Sequence, residues 1–113
     1  MPLSYTLKDD EKLVEAALGS TTEIHLEGNP TTGYTWTREG FLGKEILSDE
    51  NLEVTCKYTA AGAPHFMVGT GGTYTVLVKP KKRGRHTLNM VYVRVFDGLK
   101  PQDKRFMLHF NVM

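Results

Sequence analysis

The chain has 113 residues, 40% hydrophobic and 24% charged, and its formal net charge is +1. This length fits one core, so we expect residues 1–113 to form a single domain. The small net charge gives no reason to expect a nucleic-acid partner, and no apolar run is long enough to predict a membrane span. The single cysteine, Cys56, excludes an internal disulfide.

The amino-terminal segment bears on where the protein acts. Asp9 and Asp10 stand where a secretory signal peptide carries its apolar stretch. We therefore expect a cytoplasmic location, with a vesicular or secreted location as the alternative. We also expect a monomer, because nothing in the sequence encodes an assembly.

Apolar and polar residues alternate along most of the chain, which is typical of strands with one buried face. The last segment shows this most clearly, with Phe106, Leu108, Phe110 and Val112 on one face. Glycines and prolines recur between the segments at short intervals. We predict an all-β, immunoglobulin-like β-sandwich of seven to eight strands, with one short helical turn at residues 43–50. The predicted strands are residues 12–18, 22–27, 34–37, 52–58, 73–79, 86–96 and 105–112.

Residues that could perform catalysis do not converge in this pattern. Cys56 shares a strand face with apolar residues, which favours a small buried side chain over a reactive thiol. The histidines are far apart in sequence, and no close-spaced metal ligands occur. We expect no catalytic site, no metal and no cofactor. The four histidines are His25, His65, His86 and His109.

A basic segment at residues 79–85 has two interpretations. Its lysines and arginines could form a nucleic-acid patch or a nuclear address. Its turn residues and its place between two predicted strands favour a solvated hairpin connection, which lysines keep soluble.

The segment between the second and third predicted strands has an unusual composition. Proline fixes its own φ and restricts the preceding residue, glycine supplies a conformation that other residues avoid, and threonines are stiff at χ1. Such a loop is rigid and shaped, so it is either a well-made turn or a binding element. Its residues are Asn29, Pro30, Thr31, Thr32, Gly33 and Tyr34.

Two further loops contain residues suited to binding. In residues 66–72, three apolar residues precede a glycine-rich tip; on the residues alone, a lid over the core is favoured over a binding patch. No Lys-Ser/Thr follows these glycines, so a phosphate-binding loop is not expected. Arg94, Val95 and Phe96 combine an arginine with an aromatic, two residue types enriched among interface anchors. With residues 12–18 as the first sandwich strand, the three loops follow the second, fourth and sixth strands and emerge at one end.

The loops resemble those of the chagasin family, immunoglobulin-like inhibitors of papain-like cysteine proteases found in protozoa and bacteria. Residues 29–34 have the family's Asn-Pro-Thr-Thr-Gly-aromatic motif at all six positions, and Trp36 follows at the expected place. The strand spacing agrees as far as Val112, and the likeness is greatest to the trypanosomatid members. The second loop has the family's Gly-x-Gly-Gly motif as Gly69, Thr70, Gly71 and Gly72.

The resemblance implies a reversible, tight-binding competitive inhibitor of cathepsin L- and cathepsin B-type proteases, and not an enzyme. It implies that Thr31 and its neighbours lie against the catalytic cysteine and histidine of the protease. The second loop is implied to follow the non-primed side and to offer Met67 or Val68 to the S2 pocket, which makes it a binding patch instead of a lid. The third loop is implied to cover the primed side through Arg94 and Phe96.

The third loop departs from the family pattern. The family has Arg-Pro-Trp where this chain has Arg94, Val95 and Phe96. Proline's rigidity and the larger indole surface are both lost, so we expect this loop to contribute less than in a typical member. The alternative function is a generic immunoglobulin-like binding module without inhibitory activity, which has no reason to carry both loop motifs.

Overall fold

A computed structural model describes residues 3–60 and 72–113 of the chain. Among these residues are eight strands and three single turns of 3-10 helix, the latter at Leu7–Asp9, Pro30–Thr32 and Val95–Asp97. The strands are β1 (Leu3–Thr6), β2 (Lys12–Ala16), β3 (Thr22–Gly28), β4 (Thr35–Arg38), β5 (Leu52–Ala60), β6 (Gly72–Pro80), β7 (Gly84–Val93) and β8 (Lys104–Val112).

The strands form two four-stranded sheets that face each other. One sheet has the order β1-β3-β6-β5 and the other β2-β8-β7-β4. The pairs β1–β3 and β2–β8 are parallel, and the remaining pairs are antiparallel. The first two strands of the chain are therefore edge strands of different sheets, β1 of one and β2 of the other. The predicted all-β sandwich is confirmed, and β1 is the strand that the alternation pattern did not predict.

The core is the set of inward side chains that alternation predicts. On β8, Phe106, Leu108 and Phe110 are fully buried, and Val76 and Val78 on β6 are fully buried opposite them in the other sheet. Each such side chain contributes about 1.5–3 kcal/mol when it leaves water. No disulfide is available to this chain, so this apolar layer holds the two sheets together.

The helical turn predicted at residues 43–50 is wrong, because this segment is irregular. Leu47 is buried in the core while its neighbour Ile46 is 73% exposed. The carbonyl of Leu47 accepts a hydrogen bond from Arg38 Nη1 at 2.9 Å. Asp49 Oδ1 accepts hydrogen bonds from the backbone N–H groups of Asn51 and Leu52. The contact with Arg38, the burial of Leu47 and the local turn at Asp49 together outweigh the weak helix propensity of the segment.

A salt bridge between the largely buried side chain of Arg38 and Asp49, at 2.8 Å, fixes this connection to the edge of the sandwich. Burial raises the pKa of Asp49, but the N–H groups of Leu52 and Asn51 and the charge of Arg38 outweigh it, so the pKa lies below its usual value. A carboxyl with a depressed folded-state pKa contributes stability above its unfolded pKa of about 3.9 and loses it as the pH falls through the folded pKa.

We therefore expect wild type to be more stable than Asp49→Asn at pH 7. This difference in the free energy of unfolding should shrink below about pH 4. Thermal unfolding of both proteins between pH 7 and pH 2.5 measures this difference. Glu45→Gln, which changes an exposed carboxyl in the same connection, is the matched control. A difference between wild type and Asp49→Asn that is constant across this range would contradict the assignment.

The register of the strands places the residues that flank the three candidate loops at one end of the sandwich. Gly28 at the end of β3 lies opposite Gly72, and Ala60 at the end of β5 lies opposite the same residue. In the other sheet, the first residue of β4 lies opposite Val93, the last residue of β7. The residues that flank all three loops therefore share one level of the fold.

The basic segment lies at the opposite end, where it connects β6 in one sheet to β7 in the other. Residues 81–85 are exposed. Lys82 lies 3.6 Å from Glu50, and Lys81 Nζ donates to the carbonyl of Asp49 at 3.2 Å. The solvated connection is confirmed, but the expected hairpin is wrong, because β6 and β7 belong to different sheets and do not pair with each other.

Candidate functional site at one end of the sandwich

The first loop is closed by its own hydrogen bonds. Asn29 Oδ1 accepts from the backbone N–H of Thr31 at 3.1 Å and from its hydroxyl at 2.6 Å. The hydroxyl of Thr32 donates to the carbonyl of Asn29 at 2.7 Å. Pro30 opens the 3-10 turn and Gly33 ends it with φ of +85°, a conformation that a side chain disfavours. The predicted shaped loop is present, and internal hydrogen bonds close it.

The apex of this loop faces solvent. Pro30, Thr31, Thr32 and Gly33 are exposed, whereas Asn29 and Tyr34 at its ends are half-buried. The loop therefore presents a short, pre-shaped projection whose base is held by the sandwich.

Aromatic side chains from two strands form the base of the first loop. The Tyr92 hydroxyl accepts the backbone N–H of Asn29 at 2.8 Å and lies 3.4 Å from its carbonyl oxygen, to which it donates. The Tyr92 ring stacks on Tyr34, with centroids 5.3 Å apart, and lies against Trp36 at 5.2 Å. Trp36 Nε1 donates to the carbonyl of Glu27 at 3.0 Å. These contacts tie the loop to both sheets.

Glycine is required directly below the loop. A Cβ atom on Gly28 would lie 2.7 Å from Tyr74 Cε1 and 3.0 Å from Tyr92 Cε1. Both distances are too short, so a larger residue would displace the rings that support the loop. Sequence reasoning missed both Gly28 and Tyr92. Tyr92 could have been found from strand alternation. Residues 88, 90 and 92 share one face of β7, so Tyr92 is an aromatic residue on the inward face, at the end of the strand nearest the loops.

The third loop contacts the first one. Arg94 Nε donates to the carbonyl of Thr32 at 3.1 Å, and its Cζ lies 4.8 Å from the centre of the Tyr34 ring. Val95 and Phe96 begin a 3-10 turn, in which the Phe96 side chain is 79% exposed. The strand predicted to reach residue 96 ends at Val93, because its pairing partner β4 begins at Thr35.

Most of the second loop lies outside the described residues. Gly72 is described and begins β6, where it pairs with both Gly28 and Ala60. The remaining candidates of this loop are not among the described residues. They are Met67, Val68, Gly69, Thr70 and Gly71.

A depression of about 430 Å³ lies beside the first loop, between β4 and β5. Its lining includes Pro30, Trp36, Tyr58, Val95 and the thiol of Cys56. Burial raises the pKa of Cys56 to about 11, so the thiol is protonated at neutral pH and is a poor nucleophile. This supports the interpretation of Cys56 as a packed side chain.

The described histidines are engaged separately. His25 lies 3.4 Å from Glu23, His86 is bonded to the carbonyl of Lys82, and His109 is bonded to the hydroxyl of Thr87. Within residues 3–60 and 72–113, no group of three or more His, Cys, Asp or Glu side chains is arranged to hold a metal ion. In the same part of the chain, no helix is long and apolar enough to span a bilayer.

Comparison with known proteins identifies the family. A family model described as chagasin family peptidase inhibitor I42 matches residues 15–110, which is most of the chain. The chain belongs to the chagasin family. The family consists of peptidase inhibitors and not of enzymes, and the match to this chagasin-family chain includes the projection described above.

Relatives of this chagasin-family chain match over most of its length. Chagasin of Trypanosoma cruzi is 34% identical over 95 residues, which are 84% of each chain. The solved structure of Leishmania mexicana ICP is 61% identical, with a TM-score of 0.80 over 93% of this chain and 90% of that one. PbICP-C, solved in complex with falcipain-2, is 20% identical with a TM-score of 0.67 over 100% of this chain and 92% of that one, and shares the fold.

Proposed function

We propose that this chagasin-family inhibitor blocks papain-like cysteine proteases of the cathepsin L and cathepsin B type, reversibly and competitively, by placing three loops across the active-site cleft. The observation that carries the proposal is the first loop, an exposed apex closed by its own hydrogen bonds on a rigid base. A loop that is ordered before binding loses little entropy on binding, which favours high affinity.

The shape of the first loop also accounts for inhibition without cleavage. A protease binds its substrate as an extended strand, so that the scissile carbonyl reaches the nucleophile. Residues 30–32 form a 3-10 turn in which the N–H of Thr32 donates to the carbonyl of Asn29 at 3.2 Å. An extended conformation would break this turn and the two hydrogen bonds of Thr31. The loop therefore occupies the cleft without offering a peptide bond in attack geometry.

The second and third loops complete the proposed contact on either side. We propose that Phe96 covers the primed side, and its exposure beside the first loop supports this role. On the non-primed side, Met67 or Val68 is our candidate for the apolar S2 pocket. The strand ends that flank this loop, Ala60 and Gly72, lie level with the base of the first loop and so support this placement.

Titration of papain and of a cathepsin L-like protease with the purified protein, followed with a fluorogenic peptide, tests the proposal. We expect loss of activity at close to equimolar inhibitor, relief by excess substrate, and recovery of the intact chain from the complex. Undiminished activity of both proteases at micromolar inhibitor would refute the proposed function.

The third loop yields a prediction about affinity. Val95 is the first residue of its 3-10 turn, and Arg94 before it is extended, with φ of −90° and ψ of 108°. Both positions suit a proline at residue 95. We expect Val95→Pro combined with Phe96→Trp to tighten binding about tenfold, through a more rigid turn and a larger aromatic surface.

Dissociation rates of the inhibitor–protease complex measure the gain from the aromatic contact, and association rates measure the gain from a more rigid turn. Val95→Pro alone separates the gain in rigidity from the gain in aromatic surface. Unchanged dissociation of the double variant would contradict our account of the third loop.

A further inference from the structure

We infer that Tyr92 and Arg94 are positioning residues, which act on the protease through the first loop instead of touching it themselves. The inference rests on the proposed function and assigns these two side chains a role inside the inhibitor. For Arg94 it replaces the expectation that the arginine covers the primed side.

Tyr92 holds the first loop from below. Its hydroxyl is bonded to both backbone groups of Asn29, which is the cap residue of the loop. Its ring lies between Tyr34 at one end of the loop and Trp36 in β4. Tyr92 belongs to β7, in the sheet opposite β3, so its hydroxyl joins the two sheets where the loop leaves the sandwich.

Arg94 holds the first loop from the side. Its Nε donates to the carbonyl of Thr32, and its guanidinium lies over the ring of Tyr34. The turn that brings the Thr32 carbonyl to Arg94 ends at Gly33, whose φ of +85° favours glycine, and Arg94 packs beside Gly33 at ordinary contact distance. One donor and one face of the guanidinium are therefore already used within the free inhibitor.

The two roles predict different kinetics. A side chain that only orders the loop raises the fraction of free inhibitor that is ready to bind, so its loss slows association. A side chain that contacts the protease resists separation, so its loss mainly speeds dissociation. Association and dissociation rates therefore distinguish a positioning residue from a contact residue.

Tyr92→Phe removes the hydroxyl and keeps the ring. The variant loses the short, part-buried bond from the Asn29 N–H and the longer one to the Asn29 carbonyl. We expect the amide of Asn29 to exchange with solvent about fivefold faster in the free variant, and association with papain to slow by a similar factor. Dissociation should stay within twofold of wild type. Tyr5→Phe, the same change in β1, which carries none of the three loops, should alter neither rate.

Arg94→Ala tests the second side chain. We expect association to slow about fivefold and the amide of Gly33 to exchange faster, with dissociation nearly unchanged. Arg105→Ala removes the same charge from an exposed position in β8 and controls for electrostatic steering. Because Arg94 is exposed, this variant keeps the fold even if Tyr92→Phe lowers the thermal midpoint.

The outcomes separate this inference from the proposed function. If wild type inhibits papain while both variants keep wild-type association and amide exchange, the inference is wrong and the proposed function stands. Faster dissociation at unchanged association for Arg94→Ala would make Arg94 a contact residue and overturn its positioning role. Failure of the wild type to inhibit papain and cathepsin L-like proteases would refute the proposed function. Amide exchange in the free wild type and variants would still show whether Tyr92 and Arg94 order the first loop.

Discussion

Replacing Thr31 by glutamate is expected to weaken inhibition of a papain-like protease about 100-fold, the size of a central interface hot spot. Thr31 lies at the exposed apex of the first loop. In the proposed complex the new carboxylate would lose its water beside the thiolate of the catalytic cysteine, which has the same charge, and this is costly. Inhibition constants for wild type and variant, measured with one fluorogenic substrate, give the ratio.

The matched control is Thr21→Glu, the same change in the exposed connection between β2 and β3 at the opposite end of the sandwich. We expect wild-type inhibition from this control and near wild-type thermal unfolding from both variants, because neither side chain packs in the core. Equal affinity of Thr31→Glu and wild type would mean that the first loop does not enter the cleft.

Replacing Trp36 by alanine is expected to lower the free energy of unfolding by about 3–5 kcal/mol, as for other large buried aromatics. Trp36 is 2% exposed, packs on Tyr92 and donates its indole N–H to the carbonyl of Glu27. Its loss leaves a cavity between the sheets and an unpaired carbonyl. Because small domains have only about 5–15 kcal/mol of stability, the variant is close to its unfolding threshold.

Chemical denaturation followed by circular dichroism measures this change, since Trp36 is the only tryptophan and fluorescence is lost with it. Trp36→Phe keeps an aromatic and should cost less than the alanine. Leu13→Ala, which truncates a side chain that is 46% exposed, should cost well under 1 kcal/mol. A loss of stability in Trp36→Ala no greater than in Leu13→Ala would contradict the role given to the indole.

The strands were predictable because period-two alternation is a local signal. All seven predicted strands exist, and the inward row on β8 is the one read from the sequence. The strand β1 was missed because it depends on parallel pairing with β3, which is a contact between segments distant in sequence. The failed helical turn at residues 43–50 has a similar cause. Its conformation is set by Arg38 and by burial of Leu47, and neither is visible in local propensity.

The shape of the first loop was predictable from Pro30, Gly33 and the residues between them, because each acts on its own backbone. The side-chain contacts that hold the loop in place were not predictable. Arg94 and Thr32 are 62 residues apart in sequence, and Asn29 and Tyr92 are 63 residues apart. Only the pairing of β7 with β4 brings these side chains beneath and beside the loop. A motif can therefore identify such a loop, while its positioning residues emerge from the fold.

Disulfide trapping tests most directly whether Thr31 lies beside the protease nucleophile. The one native thiol, Cys56, is half-buried with a pKa raised to about 11, so a Thr31→Cys variant offers a single reactive thiol. Mixed with papain under mild oxidation, this variant should form a reducible one-to-one adduct through the catalytic cysteine, and Ser20→Cys at the opposite end should form none. A Thr31→Cys variant that still inhibits papain and yet forms no adduct would contradict the placement of the first loop at the catalytic cysteine.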